Sequence, residues 1–186
     1  MGMMGRKKLA AALACAAAVV GMAVGTSSAA AFTNAPVGTS VYGNLVSPTF
    51  TVGVFTCTGL AVAGQVSADS GAGNGGDVSL SVVSPFGCTG PGGSPPPSVT
   101  VTFLGLPRTL TLAGSGGATI SSGSIRVNWG TLFCTYTGTI TGTFTNATSQ
   151  LALGGTLART SGSSLCPTSA AIGGTLALQG NGPLQL

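Results

Sequence analysis

From about residue 40 onward, hydrophobic positions in this chain recur with a period of two. Val99, Val101 and Phe103 alternate with Ser98, Thr100 and Thr102, and Leu110 and Leu112 alternate with Thr109 and Thr111. Successive side chains of an extended strand point to opposite faces, so such runs predict half-buried β-strands. Ile125, Val127 and Trp129 share one face against Arg126 and Asn128. Leu132, Cys134 and Tyr136 oppose Thr135 and Thr137, and a Gly-Thr-rich stretch carries this run on to Phe144. Further strands are expected at 50–57, 60–66, 78–83, 150–158 and 174–178, separated by clusters of Gly, Pro, Asn and Ser. Beyond the first thirty residues there is no ten-residue helical stripe.

Many short strands joined by Gly-rich turns predict an all-β fold: a single antiparallel β-sandwich, immunoglobulin-like in architecture only, or a small barrel. True immunoglobulin hallmarks are absent, because Tyr136 follows a Cys by two positions instead of preceding it and Trp129 has no Cys at the expected distance before it. Residues 32–186 suit one domain with a sizeable core. The Gly90–Pro97 segment is rich in Pro and Gly and reads as a long loop at 90–98 inside that domain; as a linker it would leave each half with too few strands for a core. Gly154-Gly-Thr-Leu-Ala158 recurs as Gly173-Gly-Thr-Leu-Ala177, but two copies fall short of solenoid stacking and read as two similar strands.

The N-terminus changes the charge picture. Arg6, Lys7 and Lys8 precede an apolar run from Leu9 to Val24, and small residues follow to Ala31. This is the pattern of a helical signal peptide over 1–31, with a mature chain starting near Phe32 and secreted or held at the cell envelope. The apolar run is too short and Ala-rich for a spanning anchor. Cys15 lacks the preceding Leu of a lipobox and reads as part of the leader. Of the six basic residues, three fall in the leader, so 32–186 carries Arg108, Arg126 and Arg159 against Asp69 and Asp77, with no His, Lys or Glu. Three isolated Arg make no nucleic-acid footprint.

Four cysteines remain after the leader, Cys57, Cys88, Cys134 and Cys166. An even number in an exported chain predicts two disulfides. Of the three connectivities, Cys57–Cys88 with Cys134–Cys166 is favoured because it closes two loops of similar length. Zinc would need C-x2-C spacing or His, and neither is present.

The same residue inventory excludes most catalysis. Without His or Lys there is no Ser-His-Asp triad and no Ser-Lys dyad, and no Gly-x-Ser-x-Gly elbow occurs. Asp69-Ser70-Gly71 matches one aspartic-protease signature, but that mechanism needs two and Asp77 is followed by Val-Ser. Asp69, Asn74 and Asp77 form a weak calcium candidate that lacks the acidic spacing of an EF-hand loop. Leu106-Pro107-Arg108-Thr109 starts like a wall-sorting motif, but Leu110 replaces its Gly, so it reads as strand entry after Pro. Asn146-Ala147-Thr148 is a formal glycosylation acceptor. No cofactor is expected, and no enzyme activity.

The stretch Cys134-Thr-Tyr-Thr-Gly-Thr-Ile-Thr-Gly-Thr-Phe-Thr-Asn-Ala-Thr-Ser-Gln-Leu151, with the later Cys166 and the closing Gly173-Gly-Thr-Leu-Ala-Leu178, resembles small secreted β-proteins of actinobacteria, some labelled protein activator of alkane oxidation. The resemblance covers residues 134–178 and implies an exported, disulfide-bonded β-domain without a catalytic role. It carries over no functional residue. Two functions are expected from these readings. The first is a structural or interaction role through an uncharged Thr/Ser/Gly surface, toward an extracellular protein, a polymer or further copies of the chain. The alternative is a carrier of an apolar small molecule, with Phe50, Phe55, Phe103, Trp129, Phe133 and Tyr136 as its candidate lining.

Overall fold

The alternating runs form eleven strands in the computed structural model, which describes residues 35–69, 75–92 and 98–185. The expected leader over 1–31 and Cys15 lie outside the described residues. In chain order the strands are β1 (Ser40–Leu45), β2 (Phe50–Val52), β3 (Phe55–Asp69), β4 (Gly76–Thr89), β5 (Val99–Phe103), β6 (Arg108–Leu112), β7 (Gly117–Trp129), β8 (Leu132–Thr145), β9 (Gln150–Gly154), β10 (Thr156–Gly162) and β11 (Ser169–Gln179). Only a 3-10 turn over Asn146–Thr148 interrupts them with helical structure among the described residues. No helix there is long and apolar enough to cross a membrane.

Every ladder is antiparallel, and the last strand returns to the first: Tyr42 of β1 lies opposite Gln179 of β11. The sheet therefore closes on itself. Of the two architectures open to the sequence, the barrel is the one the strands form, and the sandwich is corrected to an eight-position up-and-down barrel. Five positions are held by the long strands β3, β4, β7, β8 and β11. Each of the other three is shared by two short strands running on in the same direction. β1 and β2 lie between β11 and β3. β6 and β5 lie along β7, and β9 and β10 lie between β8 and β11.

The breaks within these shared positions sit at backbone punctuation. Pro48 lies between β1 and β2, Gly105 (φ 68) and Pro107 between β5 and β6, and Gly155 (φ 111) between β9 and β10. A residue without an N–H, or one free to take positive φ, lets a strand bend and pass from one end of the wall to the other. For the same reason the runs expected at 50–57 and 150–158 are each two strands, the first of them turning at Gly53 (φ 61). β1 had no clear signal, since Val41 and Leu45 are its only aliphatic residues and the large side chain of Tyr42 faces outward.

The two ends of the barrel close differently. One end is a complete ring of eight ladders through β1, β3, β4, β6, β7, β8, β9 and β11. The other runs β5, β7, β8, β10, β11, β2, β3 and β4, with no ladder between β4 and β5. This leaves a seam between β4 and β5, the two strands that flank residues 90–98 in sequence, and both belong to the same barrel. Pro85 lies in the stretch of β4 beside the seam, a position with no partner strand on one side.

The interior is apolar. Val41, Leu60, Val62, Val78, Leu80, Leu110, Leu112, Ile140, Leu151, Leu176 and Leu178 fill the complete ring. The outer wall carries exposed Thr100, Thr102, Thr109, Thr111, Thr141 and Thr143. That is the reverse of a lipid-facing barrel, which presents its apolar side chains outward. β3 changes its buried side along its length, from Phe55 and Cys57 to Leu60, Val62 and Val66. At the changeover Gly59 lies beneath the Phe86 ring of β4, where a Cβ would come 2.0 Å from a ring carbon.

Candidate functional site

Side chains of alternating strands converge inside a barrel, so the interior is the first place to look for a site. It is filled. The space left among Leu60, Val62, Leu80, Phe103, Ile140 and Leu176 amounts to about 20 Å³, whereas sites for small molecules span roughly 300–1,000 Å³.

The six aromatic residues named as candidate ligand lining all fall at the seamed end, but they form no common cavity. Phe50 and Phe103 pack at 6.3 Å between ring centroids, and Phe55 meets Trp129 edge-on at 5.9 Å. Tyr136 is fully buried in the core, while Phe133 lies on the outer wall at 39% exposure. Of the six, Phe103 alone borders the small interior space. Burial holds the Tyr136 phenol above its ordinary value of 10, with the Arg159 charge pulling in the opposite direction.

Both disulfides also lie at the seamed end. Cys57 and Cys88 face each other across β3 and β4, and Cys134 of β8 joins Cys166 in the loop before β11. The two acids sit at the far end of the β3–β4 hairpin, where Asp69 is opposite Gly76 and Asp77 is opposite Ala68. Asn74, the third member of the calcium candidate, lies outside the described residues. The Ser67 hydroxyl donates to the Asp77 carbonyl at 3.3 Å.

The three arginines have different surroundings. Arg126 lies over the Phe133 ring, 4.4 Å from its centroid, and its Nε donates to Asn128 Oδ1 at 3.1 Å. Arg159 donates from Nη1 to the Ser163 carbonyl at 2.9 Å and to the Cys166 carbonyl, fixing the loop that carries the second disulfide. Arg108 has no such partner. Its Nε is shielded from solvent without a hydrogen bond, and no described residue pairs with its guanidinium.

Two depressions mark the outer wall on either side of the β5–β6 connection. The first, about 480 Å³, is bordered by Ser40, Tyr42, Gln65, Ser79, Ser81 and Pro107. Tyr42 is 56% exposed and stands in a cross-strand row with Ala63 and Val82. The second, about 510 Å³, is bordered by Arg108, Ser122, Ser124, Thr137, Gly138 and Thr139. It forms where β7 bulges between Ile120 and Gly123, at the junction of its ladders to β6 and β5. Ser122 in the bulge takes φ 56. Bulges re-aim side chains at such places, and a serine at positive φ is held there by its surroundings.

Sequence reasoning singled out neither depression. Their polar residues are the ordinary outward Ser and Thr of each strand, and only barrel closure sets β1, β3, β4, β6, β7 and β8 side by side. The one available signal was Arg108, a lone cation directly after Pro107 in a chain with almost no charge. No family model matches this chain, and neither a curated protein nor a solved structure shows significant similarity to it.

Proposed function

We propose that this chain is a non-enzymatic, secreted or cell-surface-associated barrel that contacts a hydroxyl-bearing partner through its uncharged outer wall. The observation that carries this reading is the contrast between a filled interior and an exterior with two depressions lined mainly by Ser, Thr, Tyr and Gln, with Arg108 the one charged residue at their borders. An apolar guest inside the barrel would have to displace packed side chains. A polymer lying on the wall would displace only water. Hydroxyls both donate and accept, so they can match the hydroxyl groups of a polysaccharide without a charged residue. The exposed Tyr42 adds a ring with an apolar face and a polar tip.

Two disulfides suit an oxidising compartment. The resemblance of residues 134–178 to small secreted actinobacterial β-proteins agrees with export. Self-association by strand addition has little to work with, because closure pairs every strand of the complete ring on both sides and leaves unpaired edges at the β4–β5 seam.

The test is co-sedimentation of the purified chain starting at Phe32 with insoluble cell-envelope polysaccharide, with light scattering of the free chain alongside. Co-sedimentation that drops several-fold in Tyr42→Ala is expected. A chain that stays in the supernatant with every polysaccharide and remains a strict monomer would remove this reading.

A further inference from the structure

Among the described residues, Arg108 is the arginine whose guanidinium makes no hydrogen bond, ion pair or ring contact. Arg126 is occupied by Phe133 and Asn128, and Arg159 by two loop carbonyls. Arg108 instead borders an open cleft, with its Nε buried and unpaired. Gly105, at φ 68, leaves room for it: a Cβ at that position would come 2.6 Å from Arg108 Nη2. The guanidinium thus lies beside the Gly105 backbone in the loop between β5 and β6. A planar guanidinium presents donors in a fork that fits the two oxygens of a carboxylate.

The rest of the cleft narrows the choice of ligand. Ser122, Ser124, Thr137 and Thr139 contribute hydroxyls, Gly138 contributes backbone, and no large apolar side chain borders it. Thr137 lies directly opposite Ser124 across the β7–β8 ladder. A small inorganic anion would pair with the arginine and accept from only the nearest of these hydroxyls, and a neutral sugar would leave the guanidinium charge uncompensated. A hydroxylated ring bearing a carboxylate uses both. The cleft is an open depression of about 510 Å³, so a ligand bound there keeps one face in solvent.

We propose that this cleft binds a sugar acid of the uronate class, with the guanidinium of Arg108 forking the carboxylate and the Ser and Thr hydroxyls taking the ring hydroxyls. The assignment rests on the outer-wall reading above and gives it a chemical specificity. Arg108 is a ligand-binding residue here, with Gly105 as the position that makes room for it.

The experiment follows arginine Nε–H signals in proton–nitrogen NMR spectra of the chain starting at Phe32, which contains three arginines. Glucuronate, glucose, acetate and inorganic phosphate are titrated separately. Glucuronate is expected to shift the Arg108 signal saturably, to leave that of Arg126 in place, and to bind at least tenfold more tightly than the other three probes. Arg108→Gln and Arg108→Lys should each lose at least tenfold, the lysine variant because a point charge is not a fork. Gly105→Ala, whose methyl group displaces the guanidinium while leaving the Ser and Thr hydroxyls of the cleft in place, should lose several-fold, and Arg108→Lys serves as the second variant if Arg108→Gln does not fold. Equal binding of glucose, acetate or phosphate overturns the assignment, as does undiminished glucuronate binding in Arg108→Gln. Absent glucuronate binding alongside intact polysaccharide co-sedimentation overturns the cleft alone; absence of both overturns the outer-wall reading as well.

Discussion

The two ends of the barrel solve the same closure problem by different means. The end containing β1, β6 and β9 joins all eight positions by hydrogen-bonded ladders, and its buried side chains are aliphatic apart from Phe144 and Ser149. The end containing β2, β5 and β10 lacks the β4–β5 ladder, yet it holds both disulfides and Phe50, Phe55, Phe103, Trp129 and Tyr136. Where the ring of hydrogen bonds is complete, aliphatic packing between strands is sufficient. Where it is interrupted, a disulfide holds β4 on one side of the gap, and on the other Phe103 of β5 packs against Phe50. Cys57–Cys88 ties β4 to β3 beside the seam, and Cys134–Cys166 ties β8 to the loop between β10 and β11.

The sharpest way to break this comparison is to remove the cross-links. In the chain-entropy model loops of 31 and 32 residues stabilise by about 3–4 kcal/mol each, a large fraction of the 5–15 kcal/mol usual for a domain. Replacing all four cysteines with Ala should therefore leave the chain marginal or unfolded. The single pair Cys134→Ala/Cys166→Ala should leave it folded, with amide exchange accelerated in β5 and β10 before β1 and β6. Uniform acceleration at both ends would show that they do not open separately.

The complete ring should respond to loss of packing instead. Leu112→Ala and Leu178→Ala, both essentially fully buried there, are expected to cost about 2–5 kcal/mol each by denaturant unfolding. A loss below about 1 kcal/mol would mean the aliphatic end is not packed as described. At the junction of the two ends, Gly59→Ala drives a methyl group into the Phe86 ring. Because the Phe86 ring is 58% exposed and free to swing outward, the expected cost is about 1 kcal/mol and should vanish in Gly59→Ala/Phe86→Ala, a coupling that a double-mutant cycle reads directly.

The smallest effect belongs to Tyr136, whose buried hydroxyl has no protein partner among the described residues. Tyr136→Phe should change stability by no more than about 1 kcal/mol. Its effect on pH dependence is distinct. The folded phenol titrates above 10 because it is buried, so the unfolded chain releases that proton at lower pH. The stability this group contributes is complete below pH 10 and is lost as pH rises through the folded value. Alkaline unfolding of the wild-type chain should shift upward in Tyr136→Phe, and an unchanged alkaline limb would remove the tyrosine from the account.

Strand type was legible because alternation is local. Val99 to Phe103 and Ile125 to Trp129 show their buried face without reference to anything else in the chain, and they pair with each other in the barrel. The divided positions were harder to read. The run 150–158 keeps its strand composition across Gly155, and only the ladders to β8 and β11 show β9 giving way to β10 there. The candidate site was less legible still. Arg108 is conspicuous as a lone charge, but Ser122, Ser124, Thr137 and Thr139 are indistinguishable from other outward hydroxyls until β6, β7 and β8 stand side by side around a bulge.

Taken alone, the sequence determined the all-β character, the apolar and hydroxylated faces of the strands, the supply of Cys57, Cys88, Cys134 and Cys166 for cross-linking, and the shortage of charge. Each of these depends on the identity of a residue and its immediate neighbours. The tertiary structure decided that the sheet closes into a barrel, that one end keeps a seam, and that the interior has no room for a guest. It also decided which arginine is left unpaired. Those outcomes depend on which strand edges meet, and alternation places a side chain on one face or the other without specifying the neighbour across the ladder.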